Sequence, residues 1–111
     1  RNYRITRINH IDNIFDRREA GVEITARFRH YKIVEFCNLN SCSELISADL
    51  LSGVFMPVRF AIYQTEEEEK VAHVAFLDPN AFARLFHSPS LSQVAEELSR
   101  DMTDVLAEMA I

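Results

Sequence analysis

The sequence predicts an α+β domain. A mainly antiparallel sheet is covered on one face by helices, and a long amphipathic helix ends the chain. Three observations predict this. Gly53 to Pro79 (GVFMPVRFAIYQTEEEEKVAHVAFLDP) reads as two apolar strands around an acidic turn. Val22 to His30 alternates, with Val22, Ile24, Ala26 and Phe28 on one side and Glu23, Thr25, Arg27 and Arg29 on the other. That period of two belongs to a half-buried strand. Near the C-terminus, Leu91, Val94, Ala95, Leu98, Met102, Val105, Leu106 and Met109 recur at helical spacing, with Glu96, Glu97, Arg100, Asp101, Asp104 and Glu108 on the wet side. Such a stripe buries one helix face against a core.

Taken in order, Tyr3 to Ile8 is expected to be a short strand. Asn9 then caps a helix from about His10 to Ala20, with Asp12 in its first turn and Ile11, Ile14 and Phe15 on one face. Gly21 suits the left-handed residue at its end. Tyr31 to Cys37 is apolar on both faces, so it is a second strand after a bend or a continuation of the first. Ser41 and Glu44 have capping-box spacing for a helix whose stripe is Cys42, Leu45, Ile46 and Leu50, ending near Ser52 with Gly53 as its stop. In the hairpin, Val58, Phe60 and Ile62 alternate with Arg59, Ala61 and Tyr63. In the returning strand, Ala72, Val74 and Phe76 alternate with Val71, His73, Ala75 and Leu77. The four consecutive Glu between them read as a solvated hairpin tip, since a calcium loop interleaves carboxylates with turn formers and needs a Gly. Asp78-Pro79 starts the next helix, with Asp as cap and Pro at the first position. Pro89 is expected to end that segment, and Ser90 with Gln93 gives a second capping-box spacing. The count is five strands.

A chain of 111 residues is one domain, residues 1–111. With 48% hydrophobic residues, eight Phe and three Tyr it has material for a core. A net charge of -5 disfavours a nucleic-acid partner, which selects for a basic field. Eight of the twelve basic residues nevertheless precede Val34, an asymmetry that steers a partner, sets self-association or is simply solvated. No run approaches the ~18 apolar residues of a membrane span. The chain opens on Arg, so a preceding segment or a processed leader is expected, and the compartment stays open between the cytoplasm and an exported form.

Cys37 and Cys42 (CNLNSC) are the sharpest chemical candidates, one at a strand end and one in the first turn of a helix, where a thiolate is favoured. They read as a metal site, a redox pair, a reactive thiol, or inert core thiols. The C-x4-C spacing has no second Cys/His pair nearby to complete a zinc site. His73 falls on the hairpin phase opposite the apolar one, where it lines a pocket or an interface, so Cys37, Cys42 and His73 are the candidate metal ligands. His10, His30 and His87 are scattered, and there is no G-x-S-x-G nucleophile turn. No catalytic signature is found, so an enzyme is not expected.

From Tyr31 to Pro79 the chain resembles the bacterial domain-of-unknown-function family 302. YKIVEFCNLN, a short helix, FMPVRFAIYQ, a polar turn and VAHVAFLDPNAF carry the likeness, with Cys37, Asn38, Pro57, Tyr63, Asp78 and Pro79 at the matching positions. NYRITRINHIDNIFDRR extends it upstream, so that it covers roughly Asn2 to Phe86. The resemblance implies a β-α-β(4)-α fold of the TATA-box-binding-protein-like class, often homodimeric, with no settled activity. It also implies that the family's first strand and long first helix would precede Arg1. Without them a sheet edge or face would be uncovered, which favours a partner.

Two functions follow as expectations. The first is a non-catalytic interaction module without a cofactor, acting as a homodimer or as a small accessory subunit docked through its sheet. The second is a metal- or small-ligand-binding protein that uses the Cys37/Cys42 turn with His73 or Tyr63 nearby, a transition metal being its cofactor.

Overall fold

A computed structural model describes residues 3–16, 25–56, 58–86 and 88–110. In chain order it comprises β1 (Tyr3–His10), α1 (Ile11–Asp16), β2 (Phe28–Asn38), α2 (Leu39–Ala48), a 3-10 helix (Leu50–Phe55), β3 (Val58–Thr65), β4 (His73–Phe76), α3 (Pro79–Ala83) and α4 (Pro89–Met109). The strands form one sheet in the order β1-β2-β3-β4, every neighbour antiparallel. The expected α+β class therefore holds, with four strands among the described residues rather than five. Of the expected strand Val22 to His30, residues 25–27 have no regular structure and residues 28–30 open β2. β2 runs from Phe28 to Asn38, its register against β3 shifting between Phe28 and His30, and Val22 to Ile24 lie outside the described residues.

Strand alternation decides which face is buried. Val34 and Phe36 of β2 stand opposite Phe60 and Val58 of β3, and Phe60 and Ile62 stand opposite Phe76 and Val74 of β4. Directly opposed residues share a face, so these side chains form one apolar surface. α4 lies on it. Leu91, Val94, Leu98 and Met102 meet Phe36, Val58, Phe60 and Leu45 of α2 in a single core. Phe60 is central to an aromatic row, with ring centroids 5.0 Å from Phe36 and 5.8 Å from Phe76. Tyr3 extends the row edge-on to Phe36 at 5.5 Å. The result is a slab 23 Å in its thinnest dimension, with a radius of gyration of 16.2 Å. A close-packed chain of this length is expected near 13 Å, so the single helix layer leaves the molecule flat.

Helix boundaries correct the sequence reading in three places. Asn38, not Ser41, caps α2, its side-chain oxygen accepting from the Asn40 and Ser41 amides at 3.0 and 3.2 Å. α2 stops at Ala48, where Asp49 takes extended backbone and caps the 3-10 helix that follows, so Gly53 lies inside that turn rather than ending a helix. Pro89 begins α4 instead of closing the segment before it. Ser88 is the cap and Pro89 occupies the first turn, where a missing N–H costs nothing. The same pairing is found as expected at Asp78 and Pro79 of α3.

Candidate functional site

The residues between the core positions of each strand point away from α4. On β2 these are Tyr31, Ile33, Glu35 and Cys37; on β3, Arg59, Ala61 and Tyr63; on β4, His73 and Ala75. They form rows across the sheet. Ile33, Ala61 and Ala75 make a shallow apolar strip. Arg7, Glu35 and Arg59 make a charged row on one side of it, and Tyr31, Tyr63 and His73 a row of rings on the other. Ile33 and Ala61 are half-buried and Ala75 is exposed.

The ring row is ordered. Tyr31 and Tyr63 stack at 5.4 Å with planes 12° apart, and Tyr63 and His73 stack at 5.0 Å and 20°. Phe28 closes the far end edge-on to Tyr31 at 5.6 Å. The acidic turn latches onto this end of the sheet. His73 Nε2 lies 3.0 Å from Glu68 Oε1, and Arg29 Nη2 lies 2.8 Å from Glu69 Oε1. The hydrogen bond from His73 holds the Glu68 carboxyl below its ordinary range. The turn is thus exposed, as expected, yet tied down by a hydrogen bond and an ion pair that a sequence of consecutive Glu does not disclose.

At the opposite end of β2, Cys37 and Cys42 are joined as a disulfide with their Cα atoms 6.5 Å apart. Both are half-buried rather than core thiols. They line an open groove of about 520 Å³ with Thr6, Arg7, Glu35, Ile46, Gly53 and Met56. A Cβ at Gly53 would meet nothing within 4 Å, so that side of the groove is roomy. Glu35 is held by the Asn9 side-chain amide at 3.5 Å.

Of the candidate metal ligands, the structure brings Cys37 and Cys42 together and leaves His73 apart. Tyr31 is the β2 residue in line with the His73 row, and at the rise of a strand Cys37 lies roughly 20 Å from it. While joined, neither sulfur is the thiolate that ligates a metal. Among the described residues no three His, Cys, Asp or Glu side chains are grouped to hold a metal ion. Tyr63 neighbours His73, not the cysteines. Arg7, Tyr31 and Asp12 were missed by sequence reasoning. Arg7 and Tyr31 gain meaning only from cross-strand register. Asp12 sits in the first turn of α1 as expected, and its further role as a buried acceptor for Lys32 and for the Tyr31 amide is what the sequence did not disclose.

An antiparallel four-stranded sheet with one helix layer and a long last helix defines the class of protein. The family model described as Domain of unknown function DUF302 matches residues 4–109, and the chain belongs to that family. Among solved structures, the crystal structure of the uncharacterized conserved protein DUF302 from Bacillus stearothermophilus has a TM-score of 0.77. It is 16% identical, and the match covers 93% of this chain and 74% of that one. At that identity the likeness concerns the fold. No curated protein matches the sequence. No helix among the described residues is long and apolar enough to cross a membrane.

Proposed function

We propose that the domain is a non-catalytic interaction module that pairs with a second copy of itself through the open face of its sheet. The observation that carries this is the make-up of that face. A strip of Ile33, Ala61 and Ala75 lies between stacked rings and a row reading Arg7, Glu35, Arg59. In a two-fold interface each residue meets its counterpart's surroundings, so a patch must complement itself. A charge row of alternating sign does so, because a turned copy sets Glu35 against an arginine. Small residues in the strip let two sheets approach, and the rings supply the large, stiff contact area common at interface centres. The flat shape agrees with a domain that gains its second apolar layer by association.

The reading is tested by light scattering after size exclusion, on the parent chain and on Ala61→Glu. The expected result is a dimer for the parent and a monomer with unchanged circular dichroism for Ala61→Glu, since the new carboxylate would be buried in the centre of the contact. A parent that stays monomeric at high concentration, or an Ala61→Glu dimer, overturns it. An accessory subunit with a different protein partner would show itself as a monomer alone and a stable complex in its native source.

A further inference from the structure

The Cys37–Cys42 groove has features that self-association does not use. The disulfide links the end of β2 to the first turn of α2, and both cysteines are half-buried, so a small thiol can reach them. Arg7 lines the groove and makes no ion pair among the described residues, whereas Glu35 beside it is engaged by Asn9. Cys42 occupies the first turn of a ten-residue helix whose cap, Asn38, takes two of the leading amides. A guanidinium and a helix N-terminus both stabilise a thiolate, and a more stable thiolate is the better leaving group. The apolar walls from Ile46 and Met56 suit the carbon skeleton of an incoming thiol.

We propose that Cys37 and Cys42 are an exchange-active dithiol/disulfide couple whose co-reactant is a low-molecular-weight thiol. The thiolate of that molecule attacks Sγ of Cys37. The Cys37–Cys42 bond breaks, a mixed disulfide forms on Cys37, and the electron pair leaves on Cys42. A second thiolate attacks the outer sulfur of the mixed disulfide and releases Cys37 as thiolate. Two thiols are oxidised to one small disulfide, two electrons reduce the protein bond, and the two thiol protons pass through solvent to the cysteines. The reverse sequence restores the bond. The exchange chemistry needs only the Cys37–Cys42 bond and its groove, although Arg7 and Glu35 belong both to the groove and to the charged row of the sheet face.

The test uses native protein in buffers of reduced and oxidised glutathione, quenched with acid, alkylated and weighed by mass spectrometry. The bond is expected to open at a rate proportional to glutathione and unaffected by low urea. Cys42→Ser should accumulate a glutathione adduct on Cys37. Arg7→Gln should slow opening by on the order of threefold, the effect of about one unit in leaving-thiol pKa, with Arg100→Gln on α4 as the unaffected control. Should Cys42→Ser fail to fold, the rate measurements on the parent still decide. A bond that opens only as fast as the protein unfolds, or two free thiols in air-oxidised protein, overturns the proposal.

Discussion

Lys32 Nζ lies 2.9 Å from Asp12 Oδ2, joining the first turn of α1 to the start of β2. The same oxygen accepts the Tyr31 amide at 3.1 Å, and Oδ1 accepts the Asn13 amide at 2.9 Å. Burial alone would raise the carboxyl's pKa. The hydrogen bonds from Lys32 and the two amides outweigh it and hold Asp12 at about 2 instead of 3.8.

That depression sets an acid-stability window. The folded pKa is below the unfolded one, so between them the unfolded chain binds more protons and stability rises with pH. The contribution is complete above about pH 4 and lost as pH falls through 2. Because the Lys32 side chain is 37% exposed, the pair is screened and its share is on the order of 1 kcal/mol. Urea unfolding of the parent and Asp12→Asn should differ by that much at neutral pH and converge near pH 2. A difference that persists at pH 2 would show that Asp12 acts through packing.

Tyr3 donates its phenol hydrogen to Asp101 Oδ2 at 2.9 Å, fastening β1 to α4. Tyr3→Phe keeps the ring contact with Phe36 and removes the hydroxyl. A hydrogen bond to a carboxylate contributes roughly 1.5–3 kcal/mol, and this site is only part-buried, so a loss near the low end is expected in thermal or urea unfolding.

The contrast between Leu98 and Leu50 tests the packing. Leu98 is 3% exposed in the centre of the core, whereas Leu50 is 83% exposed on the 3-10 helix. Leu98→Ala should cost about 2–5 kcal/mol, a large share of the ~5–15 kcal/mol available to a domain. Leu50→Ser should change stability by no more than about 0.5 kcal/mol. Equal effects would mean that Leu50 is covered in solution.

At the hairpin, carboxyl chemical shifts followed against pH should show Glu68 titrating below the ordinary glutamate range. His73→Ala should move Glu68 upward, since the His73 hydrogen bond is the largest cause of its depression. No movement would mean that the latch does not persist in solution.

Much of the fold was legible because it is written locally. The alternation around Phe60, the Asp78-Pro79 start and the 3-4 stripe of α4 each fix a structure from neighbouring residues alone. The misread boundaries turned on choices between adjacent candidates. Asn38 and Ser41 both cap helices well, and Asn38 prevails because β2 pairs with β1 right up to that residue. Pro89 serves equally as a stop or a start, and Ser88 with the buried Leu91 settles it as a start. The site was less legible. Cys37 and Cys42 were marked, but that their sulfurs meet depends on how α2 leaves the strand. Arg7 joins them through a register shift between Ile5 and Arg7 that no local pattern announces. The separation of His73 from the cysteines follows from pairing that spans the whole sheet.

The contact between Tyr3 and Asp101 spans 98 positions, and Phe36 and Phe60 wait on Leu98 and Met102 for their cover. During synthesis the sheet therefore emerges before the helix that shields it. Until α4 clears the ribosome, the row from Tyr3 to Phe76 is a greasy plane open to chaperones, and a message truncated before Leu91 would yield a product fit only for degradation.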